Sequence, residues 1–179
     1  MTKLSENNFD LFIPYLGQNL VIKLEIVPFG ASRVSLTNES LKLCLPASTE
    51  NIEATARDRI VSWLKSQARK TLCSEIETQR QLYGFSYKSI SLKDTRSRWG
   101  SCSQRGNLNF NWRLIMAPES VLRYVVIHET AHFEHMNHSS NFWNLVEQRC
   151  PTFQKEKSWL KNHGASLINW DFTAQIQDN

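Results

Sequence analysis

Within positions 128–138 lie His128, His132, His135 and His138, four of the chain's five histidines, with Glu129 and Glu134 among them. His128-Glu129-Thr130-Ala131-His132 has the form H-E-x-x-H. On a helix, residues four apart share a face. Two imidazoles at this spacing can therefore bind one metal ion, and the carboxylate beside the first can reach a water next to that ion. The chemistry such a set performs is metal-assisted hydrolysis. Neutral imidazoles hold the ion, the ion acidifies water and polarises a carbonyl, and the carboxylate moves the proton. Burying two imidazoles and a carboxylate in an apolar helix is costly without a partner, and one Zn2+ ion is the partner that the pattern implies.

A catalytic zinc site needs a third protein ligand. Three residues compete. His135 shares the face of His128 but lies ~10 Å further along a continuing helix, too far for one ion. Glu147, on the next predicted helix, would complete a His2Glu set. His138 lies just past Asn137, a residue that tolerates the left-handed conformation that ends helices, so a turn there can bring His138 back under the ion. His138 is the favoured third ligand. The interval from His128 to His138 equals that of the metzincins, but His135 occupies their glycine position. In addition, no methionine follows His138 to make their methionine turn.

The elements that must position these residues can be read from periodicity. Residues 118–135, opened by Pro118, read as a helix apolar around most of its circumference, hence buried. LNFNWRLI (108–115) alternates as a strand and is a candidate edge for an extended peptide to pair with. Residues 86–93 read as another strand. Upstream, LVIKLEIV (20–27), SRVSLT (32–37) and LKLCL (41–45) alternate with period two, the last two joined through Asn38-Glu39-Ser40 as a hairpin. Pro46 ends that run. Ser48 or Thr49 caps a long helix over about 50–82, with a break expected within it and Gly84 as its stop. Ser139 or Ser140 caps a further helix, and a last one runs over about 153–162, ended by Gly164. The domain reading is an N-terminal extension (1–19), a β-rich lobe (20–48), a core (49–165) and a tail (166–179).

Bulk composition restricts the classes of function. Of the 179 residues, 41% are hydrophobic and 21% charged, as in a globular fold. No apolar run approaches ~18 residues, so a membrane span is not expected. The N-terminus lacks an apolar secretion core. Cys44, Cys73, Cys102 and Cys150 show no CxxC spacing and read as free thiols of a reducing compartment, so a cytoplasmic protein is expected. Net charge is +4, yet residues 57–105 alone carry eleven Lys and Arg against four acids. That positive middle admits a nucleic-acid partner.

Two longer stretches, TRSRWGSCSQRGNLNFNWRLIMAP and YVVIHETAHFEHMNHSSNFW, resemble the YgjP-like metallopeptidases, relatives of the WLM and SprT-like zincins. The marks are RSRWGSCS, a strand ending in NWRLI-AP, and HExxH-x(5)-HS-x(2)-FW. The likeness is close over about 86–163 and weaker over 20–85. It implies an α+β, zincin-like fold: an active-site helix packed on a small, mostly antiparallel sheet, with an N-terminal β-rich lobe and a long helix. It implies zinc held by His128, His132 and His138, Glu129 as the base, and a peptide or protein substrate. Thr130 stands where the family commonly has leucine, and Arg123 where it usually has an acid. Arg98, Trp99, Cys102 and His135 are candidates to border the cleft, and RWGSCS is read as a turn beneath the helix. A carboxylate behind one of the zinc histidines is expected. Two other readings follow from the same residues. One is a nucleic-acid-associated factor acting on DNA-bound proteins, as some SprT-like proteins do. The other is a zinc site that only stabilises the fold, disfavoured because structural sites usually close with four ligands.

Overall fold

A computed structural model describes residues 11–37 and 40–172. The fold is α+β, with four α-helices, a 3-10 helix and two small sheets. The described residues up to Trp63, with Trp170 to Phe172, form one compact unit, and Leu64–Asn169 form the other.

The first unit holds strands β1 (Leu11–Tyr15), β2 (Gln18–Val27), β3 (Arg33–Leu36) and β4 (Ser40–Pro46), ordered β1-β2-β4-β3. β1 lies in the stretch read from sequence as an extension. It pairs antiparallel with β2 through a tight turn at Leu16 and Gly17, both at positive φ. β3 and β4 form the antiparallel pair that alternation predicts, and β2 runs parallel to β4. Of the expected hairpin turn, Asn38 and Glu39 lie outside the described residues, while Ser40 opens β4. Leu41, Leu43 and Leu45 are all but inaccessible, each contributing ~1.5–3 kcal/mol by burial.

Helix α1 (Ile52–Tyr83) begins in the first unit and ends in the second. No break interrupts its 32 residues, because Ala56, Ile60, Leu64, Ala68, Leu72 and Ile76 keep one buried stripe at a spacing of four. Neither Ser48 nor Thr49 caps it: the Asn51 side chain accepts the Ala54 N–H at 2.9 Å. Gly84, at φ +71, stops it as expected, its N–H donating to the Arg80 carbonyl.

The second unit continues with β5 (Ser89–Lys93), β6 (Gly100–Cys102) and β7 (Asn107–Asn111), ordered β5-β7-β6. This sheet is mixed rather than mostly antiparallel: β5 runs parallel to β7, and β6 antiparallel to it. The strand predicted over 108–115 stops at Asn111. Its side chain accepts the Arg113 N–H and caps a 3-10 helix at Trp112–Met116, so Trp112 and Leu114 are buried from a helix. β7 is also central, which leaves β5 and β6, not 108–115, as the edges.

Three helices follow: α2 (Glu119–Ala131), α3 (Ser140–Arg149) and α4 (Phe153–Ile168). α2 is buried on nearly every side, as its composition predicts. α4 runs through Gly164 rather than ending there. A Cβ at 164 would lie 3.1 Å from Cζ2 of Trp99, so the glycine makes room for the indole. Among the described residues, no helix is long and apolar enough to cross a membrane.

Candidate metal centre

α2 places His128 and His132 one turn apart and ends at Ala131, several residues before the predicted end. The end tightens into 3-10 geometry, with Phe133 N–H donating to the Thr130 carbonyl and Glu134 N–H to that of Ala131. Asn137 does not adopt a positive φ; among the described non-glycine residues, Leu16 alone does. The early end of α2, not a left-handed Asn137, lets the connector 132–139 fold back and return His138 to the helix.

The three imidazoles converge. One donor atom from each of His128, His132 and His138 falls within 4.8 Å of the others. Nε2 of His128 and Nε2 of His138 are 3.1 Å apart. Bonds of ~2.0–2.1 Å in a tetrahedral zinc site put ligand nitrogens ~3.3 Å apart, so this donor set fits the ion after a small closure. Phe142, fully buried, forms the wall behind all three rings: it stacks on His132 at 4.6 Å and meets His128 and His138 edge-on. Trp143 stacks on His138, and the Lys157 ammonium lies over the Trp143 ring, 4.2 Å from its centroid. Desolvation, then the neighbouring His132, His138 and Lys157, lowers His128 to about 3. Desolvation also lowers His138. Both rings are therefore neutral near pH 7 and keep a lone pair for a cation.

Glu147 is exposed and stands outside this cluster. The His135 imidazole is outside it too, but the His135 carbonyl lies 3.0 Å from Nδ1 of His132. That contact fixes Nδ1 as the protonated nitrogen and turns Nε2 toward the centre. The expected carboxylate behind a zinc histidine is thus replaced, for His132, by a backbone oxygen. Nδ1 of His128 is buried without a partner.

Glu129 points from α2 to β6 and is 6% exposed. Burial pushes its carboxyl up to about 7, opposed by the Cys102 backbone N–H and the Arg98 charge. Gly100 lies against it: a Cβ there would be 2.5 Å from Oε1 of Glu129. RWGSCS is therefore not simply a turn, because it supplies β6, the strand that holds Glu129. In the β6–β7 ladder, Asn111 N–H donates to the Trp99 carbonyl and Ser103 N–H to that of Asn107. Alternation along an antiparallel pair then turns the backbone groups of Gly100 and Cys102 outward, away from β7. The Cys102 N–H found there by Glu129 fits this. Sequence reasoning missed Gly100 and the Cys102 N–H; the signal was a glycine in a short β-like run, a mark of close approach.

Thr130 is fully buried, and its hydroxyl donates to the Val126 and Ile127 carbonyls, so its polarity is absorbed within α2. Arg123 pairs with Glu75 and Glu119 on the exposed side of the helix.

A buried H-E-x-x-H helix, a third histidine returned by a connector and a strand edge beside the glutamate form the candidate metal centre. The YgjP-like metallopeptidase domain model matches residues 5–163, and the chain belongs to that family. No curated protein matches the chain. Among solved structures, the chain is similar to the metallopeptidase zymogen of Pyrococcus abyssi abylysin. Identity is 21%, the match covers 50% of this chain and 93% of that one, and the TM-score is 0.42.

Proposed function

We propose that this metallopeptidase is zinc-dependent and hydrolyses peptide bonds in extended segments laid along the free edge of β6. The observation that carries the reading is the convergence of the His128, His132 and His138 donor atoms within 4.8 Å beside a buried carboxylate. When bound, zinc supplies Lewis acidity toward a water and the scissile carbonyl. The chain's residues do the rest. Neutral imidazoles present their lone pairs, and Phe142 and Trp143 wall one side of the rings. Glu129, held by the Cys102 N–H and by the lack of a side chain at Gly100, takes the proton of the attacking water and delivers it to the leaving amine. The outward N–H and carbonyl of Gly100, and the Cys102 carbonyl, offer strand-like hydrogen bonds to the substrate, as in β-addition. Four free cysteines support a reducing, cytoplasmic setting.

The test is metal content and cleavage of an unfolded protein substrate by the wild type, Glu129→Gln and His138→Ala. Expected are one zinc per chain in the wild type and in Glu129→Gln, with kcat about 10²–10⁴-fold lower in the latter. His138→Ala is expected to lose the metal. Undiminished cleavage by Glu129→Gln removes the base from the scheme, and undiminished zinc in His138→Ala removes the third ligand.

A further inference from the structure

Gly100 and Ser101 of β6 serve two faces of the sheet. Gly100 meets Glu129 on one face. On the other, Ser101 accepts a hydrogen bond from the Asn109 amide at 3.2 Å. Over this second face Thr95, Arg98 and Trp99 of the loop 94–99 border an open cleft of about 340 Å3. Lys93, Thr95, Arg98, Ser101, Asn109 and Asn111 line it, and no carboxylate does. The neighbouring Asp94 is already bonded to Arg113. Among the described residues, neither Lys93 nor Arg98 forms a salt bridge. These two cations without a salt bridge, Arg98 being near enough to Glu129 for its charge to be felt there, stand beside the Ser101 hydroxyl and the second amide hydrogens of Asn109 and Asn111. Together they make a receptor for an anion.

The position of this cavity selects the anion. A peptide paired along β6 sends alternate side chains to the two sheet faces. A residue aimed at the Glu129 face therefore has neighbours aimed at the cavity face. The space suits one long side chain with its water, and it is a single pocket rather than the row of cations that a phosphate backbone needs. We infer that this cavity is a specificity pocket for a carboxylate of the peptide substrate, read by Arg98 and Lys93 at a position adjacent to the residue that faces the metal centre. The inference rests on the proposed docking along β6. The carboxylate belongs either to an Asp or Glu side chain or to the substrate's C-terminus.

Calorimetric titration of the zinc-loaded Glu129→Gln protein measures binding without turnover. The probes are short unstructured peptides in which a single Glu is moved through every position, their Gln counterparts, and C-terminally amidated forms. Expected is a preference for one Glu position, or for the free C-terminus, on the order of ten- to hundredfold. Adding Arg98→Ala or Lys93→Ala is expected to erase the preference, and adding Lys161→Ala to leave it intact. Loss on Glu→Gln assigns the side chain; loss on amidation assigns the terminus. Equal affinity for all peptides, or no binding at millimolar concentration, overturns the pocket. So does an Arg98→Ala effect confined to a single-stranded oligothymidylate probe. Cleavage by the Glu129-intact protein reports separately on the hydrolase reading. A carboxylate preference without any turnover would sink that reading and spare this one.

Discussion

In the β1-β2-β4-β3 sheet, β4 contributes Leu41, Leu43 and Leu45 to an apolar core, and cross-strand apolar alternation sets the register. The β5-β7-β6 sheet buries Leu108 and Phe110 on one face only. On the other it is stitched by side chains: the Ser89 hydroxyl to Asn107, the Asn109 amide to Ser101, and the Asn111 amide to the Thr95 carbonyl. Both sheets combine parallel and antiparallel pairs. The contrast teaches where function can be housed. Apolar packing tolerates one-at-a-time truncation as a loss of stability. A strand fixed by polar bonds and by a missing side chain can hold a carboxylate in place, and there an added methyl damages chemistry before it damages folding.

That contrast can be broken at four points. The largest effect is expected from Leu43→Ala in the first sheet, about 2–5 kcal/mol of stability in denaturant melts. The turnover rate per folded molecule should not change. Gly100→Ala in the second sheet should do the reverse. Its Cβ must displace Glu129, so kcat falls roughly 10²-fold while zinc content stays at wild type. A Gly100→Ala protein that turns over normally would erase the distinction between the sheets. Gly164→Ala presses on Trp99 from α4 and is expected to cost about 1–3 kcal/mol and to shift tryptophan emission. The smallest effect concerns Cys102, whose thiol burial and the nearby Glu129 charge raise to about 11. Its thiol form therefore persists through pH 8, and alkylation at this position should speed up about tenfold per pH unit toward 11. Rapid alkylation at neutral pH would show that β6 is more open than described.

The site was legible in sequence to the extent that it is helical. Spacing of four placed His128 and His132 on one face with Glu129 beside them, and the structure keeps that arrangement. His138 joins the cluster by a route other than the expected left-handed Asn137: the helix stops at Ala131, through local carbonyl contacts that periodicity does not report. Gly164 and Gly100 show the same blind spot. Sequence alone reads Gly164 as a helix stop and Gly100 as part of a turn, whereas each is a space claimed by a distant side chain, Trp99 in one case and Glu129 in the other. The stretch alternates over 108–114, but the side chain of Asn111 captures the Arg113 N–H and turns the chain out of the ladder. Long-range contacts and side-chain-to-backbone bonds are the two terms that a local pattern omits.

The three proposed donors are unequally sheltered: His132 is buried, His128 half-buried, and His138 exposed on a connector rather than on α2. Ion exchange can then begin by detachment of a single arm while the helix stays folded. With a metal bound by these three residues, a competing ligand in solution would meet His138 first and strip the centre stepwise, which would make metal lifetime a property of the 132–139 connector and separate it from the unfolding rate of the protein.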